Sequence, residues 1–296
     1  MKVLVTGAAG QLGQAMVMRL KDDCEVVGWT RAEIDLTRHR DVRDAIRMLS
    51  PAAIVNCASF NQVDTCQDDQ ATAFEINAMV VSTLARAAAG CGAVLVHYST
   101  DFVFSGTATT PYSEVDVPEP RSVYAQSKLV GEWLAADAAQ HYVLRVESLF
   151  GGPHRRSSID RIVEAVRSGH TARVFVDRVV SPSYVADVVE ATIFVLKARP
   201  AHGLYHCVNS GHATWLAVAE EIARRLGQAP TVLTPISVND VSFPAPRPQF
   251  AALSNEKLTR AGFAMPSWQD AIARYVSLLR HQSSLLGGEN GGLTPS

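Results

Sequence analysis

The chain has 296 residues, 47% of them hydrophobic and 19% charged, with a formal net charge of -2. That length buries a sizeable core, and the charge balance argues against a nucleic-acid or membrane surface. No run approaches the roughly 20 apolar residues of a membrane helix. The five cysteines (Cys24, Cys57, Cys66, Cys91, Cys207) fit neither CxxC spacing nor a small disulfide framework, and MKVLVTGAAG has no cleavage site, so a cytoplasmic protein is expected.

Short apolar runs alternate with amphipathic stretches through the first half. Strands are expected at Lys2–Thr6, Glu25–Trp29, Ala53–Cys57, Ala93–Ser99 and Tyr142–Val146, and helices at Gln11–Lys21, Asp41–Leu49, Asp69–Gly90 and Val123–Ala139. Near-continuous apolar strands alternating with helices predict an α/β fold, a doubly wound parallel sheet of the Rossmann kind. After Gly151 the rhythm loosens. Arg161–Ser168, Val185–Lys197, Ala217–Leu226 and Trp268–Leu279 read as helices, and Pro244–Pro248 as a rigid extended loop. Residues 1–150 are read as the dinucleotide-binding domain. Residues 151–282 are read as a smaller, interleaved substrate-binding region with some segments returning to the sheet, and 283–296 as a disordered tail.

Gly7-Ala-Ala-Gly10-Gln-Leu-Gly13 follows the first strand and opens a helix, the context that a phosphate-binding loop requires. Gly7 allows the turn, Gly10 lets the backbone approach a pyrophosphate, and Gly13 packs the helix on the sheet. The helix N-terminus then offers unsatisfied N–H groups to the phosphates. The GxxGxxG spacing points to the short-chain dehydrogenase branch. An NAD site usually carries an acid at the end of the second strand; here Trp29-Thr30-Arg31 stands there instead. The hydroxyl and guanidinium suit a 2′-phosphate, so NADPH is expected, with NADH left open. Asp35 and Leu36 follow and are expected to border the adenine.

Tyr124-Ala-Gln-Ser-Lys128 places a phenol and an ammonium on one face of a helix, a spacing that chance seldom supplies with seven tyrosines and five lysines. The strand ending in Ser99-Thr100-Asp101 aims its last side chains at the crevice beyond the carboxyl edge of the sheet. Reducing a ketone requires a hydride and a proton. A phenol with a neighbouring ammonium can exchange that proton, and the Thr100 hydroxyl can hydrogen-bond the carbonyl oxygen as charge develops. The alternative account of Thr100 is a capping hydroxyl.

With these residues in place, the chain resembles the dTDP-4-dehydrorhamnose reductases over about residues 1–280. The segments that carry the likeness are VTGAAGQLG, IVNCASFNQVD, HYSTDFVFSG, PYSEVD, VYAQSKLVGE, GLYHCVNSG, PRP, LSNEKL and PSWQDAIARY. The resemblance implies reduction of the 4-keto group of a nucleotide-bound deoxysugar, with Thr100, Tyr124 and Lys128 catalytic and Lys128 also gripping the nicotinamide ribose. It places Gly10, Gln11, Leu12, Asp35, Leu36, Ala58, Ser59 and Phe60 around the cofactor, and Thr100 and Asp101 beside the substrate. Arg178 and Arg247 are candidates for the diphosphate, because guanidinium forks suit it.

The chain also departs from the family. Arg145-Val-Glu147-Ser148 stands where relatives carry Arg-Thr-Ser-Trp, so Ser148 holds the position of a tryptophan that lines the sugar pocket. Val63-Asp64-Thr65-Cys66-Gln67 loses two charges, and Ala15 replaces a glutamate that serves a metal-bridged dimer in some relatives, so no metal is expected. A homodimer is left open. Two other readings compete. A dehydratase is disfavoured because Phe102 follows Asp101 where dehydratases carry a glutamate, and an epimerase would retain NAD tightly through its cycle. A non-catalytic regulatory subunit, resembling the β subunit of methionine adenosyltransferase, shares the STD, YxxxK and PRP segments.

Overall fold

Strands whose side chains are apolar on both faces must be covered on both faces, and this sheet is. The computed structural model describes residues 1–287. Strands β1 (Lys2–Thr6), β2 (Glu25–Trp29), β3 (Ala53–Asn56), β4 (Val94–Thr100), β5 (His141–Val146) and β6 (Gly203–His206) form one sheet in the order β2-β1-β3-β4-β5-β6, and every neighbouring pair is parallel. The main helices are α1 (Gln11–Leu20), α2 (His39–Leu49), α3 (Val80–Cys91), α4 (Val123–Ala135), α5 (Ser158–Ser168), α6 (Val185–Ala198), α7 (Trp215–Leu226) and α8 (Trp268–Gly287).

Alternate strand residues part to opposite sides. Val3, Val5, Val55, Val96 and Leu144 pack under α1 and α6, while Leu4, Ile54, Leu95 and Val143 pack under α2 and α3. Each such fully buried aliphatic side chain stabilises the fold by about 1.5–3 kcal/mol relative to exposure. A second core joins α5, α7 and α8 through Ile159, Ile162, Val166, Trp215, Val218, Ile222, Ile272 and Tyr275.

The structure modifies several expectations. The stretch expected as one helix over Asp69–Gly90 is a short helix, Gln70–Phe74, a π-helical turn, Glu75–Met79, and then α3. Strand β6 was not foreseen; with α6 it returns the later half of the chain to the first sheet. Ala172–Phe175 pairs in parallel with Leu233–Ile236 as a separate two-stranded sheet, also unforeseen. Helix α8 runs to Gly287, so residues 283–287 are helical rather than an unstructured tail, and 288–296 lie outside the described residues. Among the described residues no helix is long and apolar enough to cross a membrane.

One charged pair is sealed inside. Arg145 Nε and Nη2 donate to Glu132 Oε1 and Oε2 at 2.8 and 2.7 Å, with both side chains buried, tying β5 to α4. Arg145 also lies 4.9 Å from the centre of the Phe104 ring. Burial, helped by the Arg145 charge, pushes His206 down to about 3, so it stays neutral beside the guanidinium. Glu132→Ala leaves that guanidinium buried without its carboxylate. A loss of about 3–5 kcal/mol is expected in urea denaturation, and an unchanged midpoint would contradict it.

Candidate active site

In an open parallel sheet, ligands bind beyond the carboxyl edge where the strand order reverses. Here β1 has β2 on one side and β3 on the other, so the crevice opens between the loops that follow β1 and β3. Gly7 has φ +64, and a Cβ there would stand 2.6 Å from the Ala58 nitrogen; a Cβ at Gly13 would stand 2.2 Å from the Gly7 carbonyl oxygen. The two glycines bring loop, helix and β3 end together. Helix α1 begins at Gly10 with no side-chain cap, which leaves its first N–H groups for an anion. Gln11 Nε2 is buried there without a hydrogen-bond partner. These features fit a dinucleotide pyrophosphate.

Two cavities meet at this loop. One, of about 330 Å³, is lined by Gly7, Gly10, Arg31, Asp35, Leu36, Ala58, Ser59 and Phe60 among others. The other, of about 690 Å³, is lined by Gly10, Gln11, Leu12, Thr100, Asp101, Tyr124, Lys128, Ser148, Arg178 and Arg247 among others. Gly10, Cys57, Ala58 and Ser59 border both, so the two form one cleft. Every residue picked out from the sequence except Gly13 lines it; Gly13 acts from behind by holding α1 close.

The end of β2 is less simple than its sequence. The Thr30 hydroxyl donates to the Glu33 carboxylate, which also accepts from the Thr30 backbone N–H at 2.8 Å. A carboxylate therefore stands near the end of β2 after all, supplied from within the following turn, and Thr30 is already engaged. Arg31 remains exposed on the rim, and its charge helps to hold Asp35 low after the larger effect of the Thr37 hydrogen bonds.

A buried polar chain crosses the sheet beneath the cleft. Thr6 Oγ1 donates to Asn56 Oδ1 at 2.6 Å, and the Ala58 N–H donates to the same oxygen at 3.2 Å. That orients the Asn56 amide so that Nδ2 donates to His97 Nδ1 at 3.1 Å, which leaves the ring proton on Nε2. His97 Nε2 lies 3.4 Å from Lys128 Nζ, which donates to the Tyr98 carbonyl at 2.5 Å. Burial first, then the Lys128 charge, holds His97 well below its ordinary range; burial brings Lys128 down to about 8, against the raising effect of Glu132.

The expected tuning of Tyr124 by Lys128 is not seen in the free protein. Burial raises the phenol, and the Thr100 hydroxyl is what opposes it. The lysine amine donates instead to the Tyr98 carbonyl on β4. The free protein thus holds Tyr124 as the protonated phenol, packed edge-on against Phe102 at 5.8 Å between ring centres.

Sequence reasoning missed Asn77. Its Oδ1 accepts from Ser59 Oγ at 3.1 Å and the Phe60 N–H at 2.9 Å, while Nδ2 donates to the Phe60 carbonyl and Ser127 Oγ, both at 3.0 Å. It ties the loop after β3 to α4 from within the π-turn, a distortion frequent at functional sites. The available signal was an asparagine inside an apolar helical run.

Asp101 and Glu147 are buried, and Arg178 reaches both with its charge while its Nε donates to the Pro248 carbonyl at 3.2 Å. Arg247 is paired with Asp64 at 2.8 Å. Arg161, unremarked in the sequence, is a third guanidinium in the wall. Ser148 has φ +45, a conformation that non-glycine residues seldom adopt. Trp215 and Phe102 line the same cavity as Ser148. Among the described residues no group of three or more His, Cys, Asp or Glu could hold a metal.

A parallel sheet with a glycine-turned cleft and a Tyr–Lys pair on its wall defines a Rossmann-type reductase or epimerase. A family described as "RmlD substrate binding domain" matches residues 1–281, and the chain belongs to that family. It is 35% identical over 278 residues to a probable dTDP-4,6-dihydroxy-2-methyloxan-3-one 4-ketoreductase of Streptomyces antibioticus, covering 92% of this chain and 93% of that one. The dTDP-4-dehydrorhamnose reductase of Clostridium acetobutylicum superposes with a TM-score of 0.88 at 30% identity, covering 95% of this chain and 100% of that one. The Bacillus anthracis reductase, solved in complex with NADP, gives a TM-score of 0.88 at 26% identity over 94% and 99% of the two chains.

Two outcomes follow from this geometry. Asn77→Ala strips partners from Ser59, Phe60 and Ser127 together. It is expected to cost about 1–3 kcal/mol in thermal unfolding and to raise the KM for cofactor. Cofactor affinity, followed by nicotinamide fluorescence, should fall as pH rises through about 8 and Lys128 loses its charge. In Lys128→Arg, charged at every accessible pH, that fall should vanish.

Proposed function

We propose that this chain reduces the 4-keto group of a deoxysugar carried on a nucleoside diphosphate, with NADPH as reductant. Residues 1–150 hold the cofactor, and 151–282 supply most of the sugar-nucleotide side. The observation that carries this reading is the Tyr124 phenol beside the Thr100 hydroxyl, on the wall of a cleft continuous with the glycine loop. Relatives named as reductases and a ketoreductase, one of them bound to NADP, support it.

The residues present fit the dinucleotide. The N-terminus of α1 and Gln11 would hold the pyrophosphate, Asp35, Leu36 and Phe60 the adenosine, Arg31 the 2′-phosphate, and Lys128 the nicotinamide ribose. When bound, the reduced nicotinamide supplies the hydride. Thr100 and Tyr124 grip the carbonyl oxygen, polarising the bond, and Tyr124 gives its proton to that oxygen. The phenol enters the reaction as the acid. The positive charge of Lys128 stabilises the phenolate as it forms. Asp101 and Ser148 border the sugar. Arg178, Arg247 and Arg161 line the side from which a diphosphate would be held, with Trp215 as an apolar wall.

The purified protein should consume NADPH in the presence of dTDP-4-dehydrorhamnose or a related 4-keto sugar nucleotide. Tyr124→Phe should lose about 100-fold or more in kcat with its thermal midpoint preserved. Turnover by Tyr124→Phe at the native rate would remove the phenol from the reaction. Absence of NADPH consumption across a panel of keto-sugar nucleotides would defeat the assignment.

A further inference from the structure

A short helix, Val63–Asp68, follows the loop after β3 and has no part in the reaction above. Its Cys66 is fully buried, and Gln67 Oε1 accepts from the Val123 N–H at 2.6 Å. The helix is thereby fixed to the start of α4, beside Tyr124. Asp64, on the same helix, reaches the other half of the chain. Its Oδ1 accepts from the Ala245 N–H at 3.1 Å, and its Oδ2 accepts from Arg247 Nη2 at 2.8 Å. One carboxylate thus takes both a backbone group and a side chain of the Pro244–Pro248 loop, across 181 and 183 residues of sequence. Burial pushes Asp64 up, but the Arg247 and Ala245 bonds outweigh it and hold the carboxyl below its ordinary range, so it is charged at neutral pH.

The proline loop holds two guanidinium groups. Arg247 Nη1 donates to the Ala245 carbonyl at 2.7 Å, and Arg247 Cζ lies over the Phe243 ring, 5.0 Å from its centre. Arg178 Nε donates to the Pro248 carbonyl at 3.2 Å. Both arginines line the larger cavity, whereas Asp64 does not, so it holds Arg247 without standing in the path of a ligand. Burial lowers Arg178, Asp101 and Glu147 oppose that, and the Arg247 charge adds to it, so the two guanidinium groups repel. Like charges set side by side need counter-charges fixed around them. Arg178 has Asp101 and Glu147; Arg247, with 12% of its side chain exposed, has Asp64.

We propose that Asp64 is the positioning residue of a diphosphate site. It ties the proline loop to the helix that abuts α4, and so fixes Arg247 and Arg178 in register with the Tyr124 phenol. A diphosphate seated on the two guanidinium groups then delivers its sugar to the phenol in one placement. The inference rests on the sugar-nucleotide reading and gives Asp64 a part in binding, not in the chemistry.

Asp64→Ala should raise the KM for the keto-sugar nucleotide about 10-fold, the scale of one charge-assisted hydrogen bond. Its kcat and its KM for NADPH should stay at native values, a split that general damage to the fold would not produce. The affinity for dTDP, measured calorimetrically with NADP⁺ saturating, should fall by the same factor, and Asp64→Glu should recover part of it. Unchanged dTDP binding in Asp64→Ala overturns the proposal. Tighter binding also overturns it, because Asp64 would then be a competitor for Arg247. If Asp64→Ala weakens dTDP but the wild type reduces no keto sugar, the positioning role stands and the keto-reductase reading fails. If the wild type binds neither dTDP nor UDP, both fall.

Discussion

The contact on which the rest depends is the one between Asn56 and His97. It links β3 to β4 under the cleft, and it is directional: two donors on Oδ1 force the amide to give its N–H to the ring. The far nitrogen of the ring lies 3.4 Å from Lys128 Nζ, which donates to the Tyr98 carbonyl. Burial brings a lysine in this setting to the border of its two charge states, against the raising effect of Glu132. The fold thus delivers an amine whose charge is available when an anionic partner arrives.

Around that contact the site is built by close approach rather than by reach. The glycine loop, the turn after β3 and α4 are pressed together at Gly7, Gly13 and Asn77, leaving small side chains and bare N–H groups facing the cleft. The longer polar groups come from the opposite wall, where Arg161, Arg178 and Arg247 stand on segments after residue 150. One side of the cleft is therefore shaped by backbone and the other by charge, a division suited to a flat dinucleotide on one side and a variable sugar on the other.

Much of this was legible in the sequence. The first five strands could be read because Val3–Val5, Ala53–Val55 and Val94–Val96 are apolar on both faces, and the motif residues converge because a parallel sheet collects strand ends on one edge. What escaped notice had a physical reason. β6 is four residues long, lies at the sheet edge and ends in His206, so it carries no strand-like run. The break between Phe74 and Val80 leaves the hydrophobic pattern intact, because a π-turn only adds a residue to a turn. Glu33 and Thr30 are joined by a local turn that composition does not encode. Tyr124 and Lys128 line one cavity, as residues four apart on a helix face can, but the bond of the lysine to the Tyr98 carbonyl depends on how β4 packs under α4. Glu147 was noticed as a departure, yet only packing puts its charge within reach of Asp101.

Gly131 illustrates how far this dependence extends. A Cβ at that position would stand 2.1 Å from the Asn77 carbonyl oxygen, so α4 can lie against the π-turn only because nothing projects there. The helix that carries Tyr124 and Lys128 has its depth set midway along, at a residue that touches no reacting atom. Replacements at Gly131 will therefore mimic damage to the chemistry while acting as a wedge. A survey of variants limited to cleft-lining positions would overlook the spacer that keeps the cleft in register.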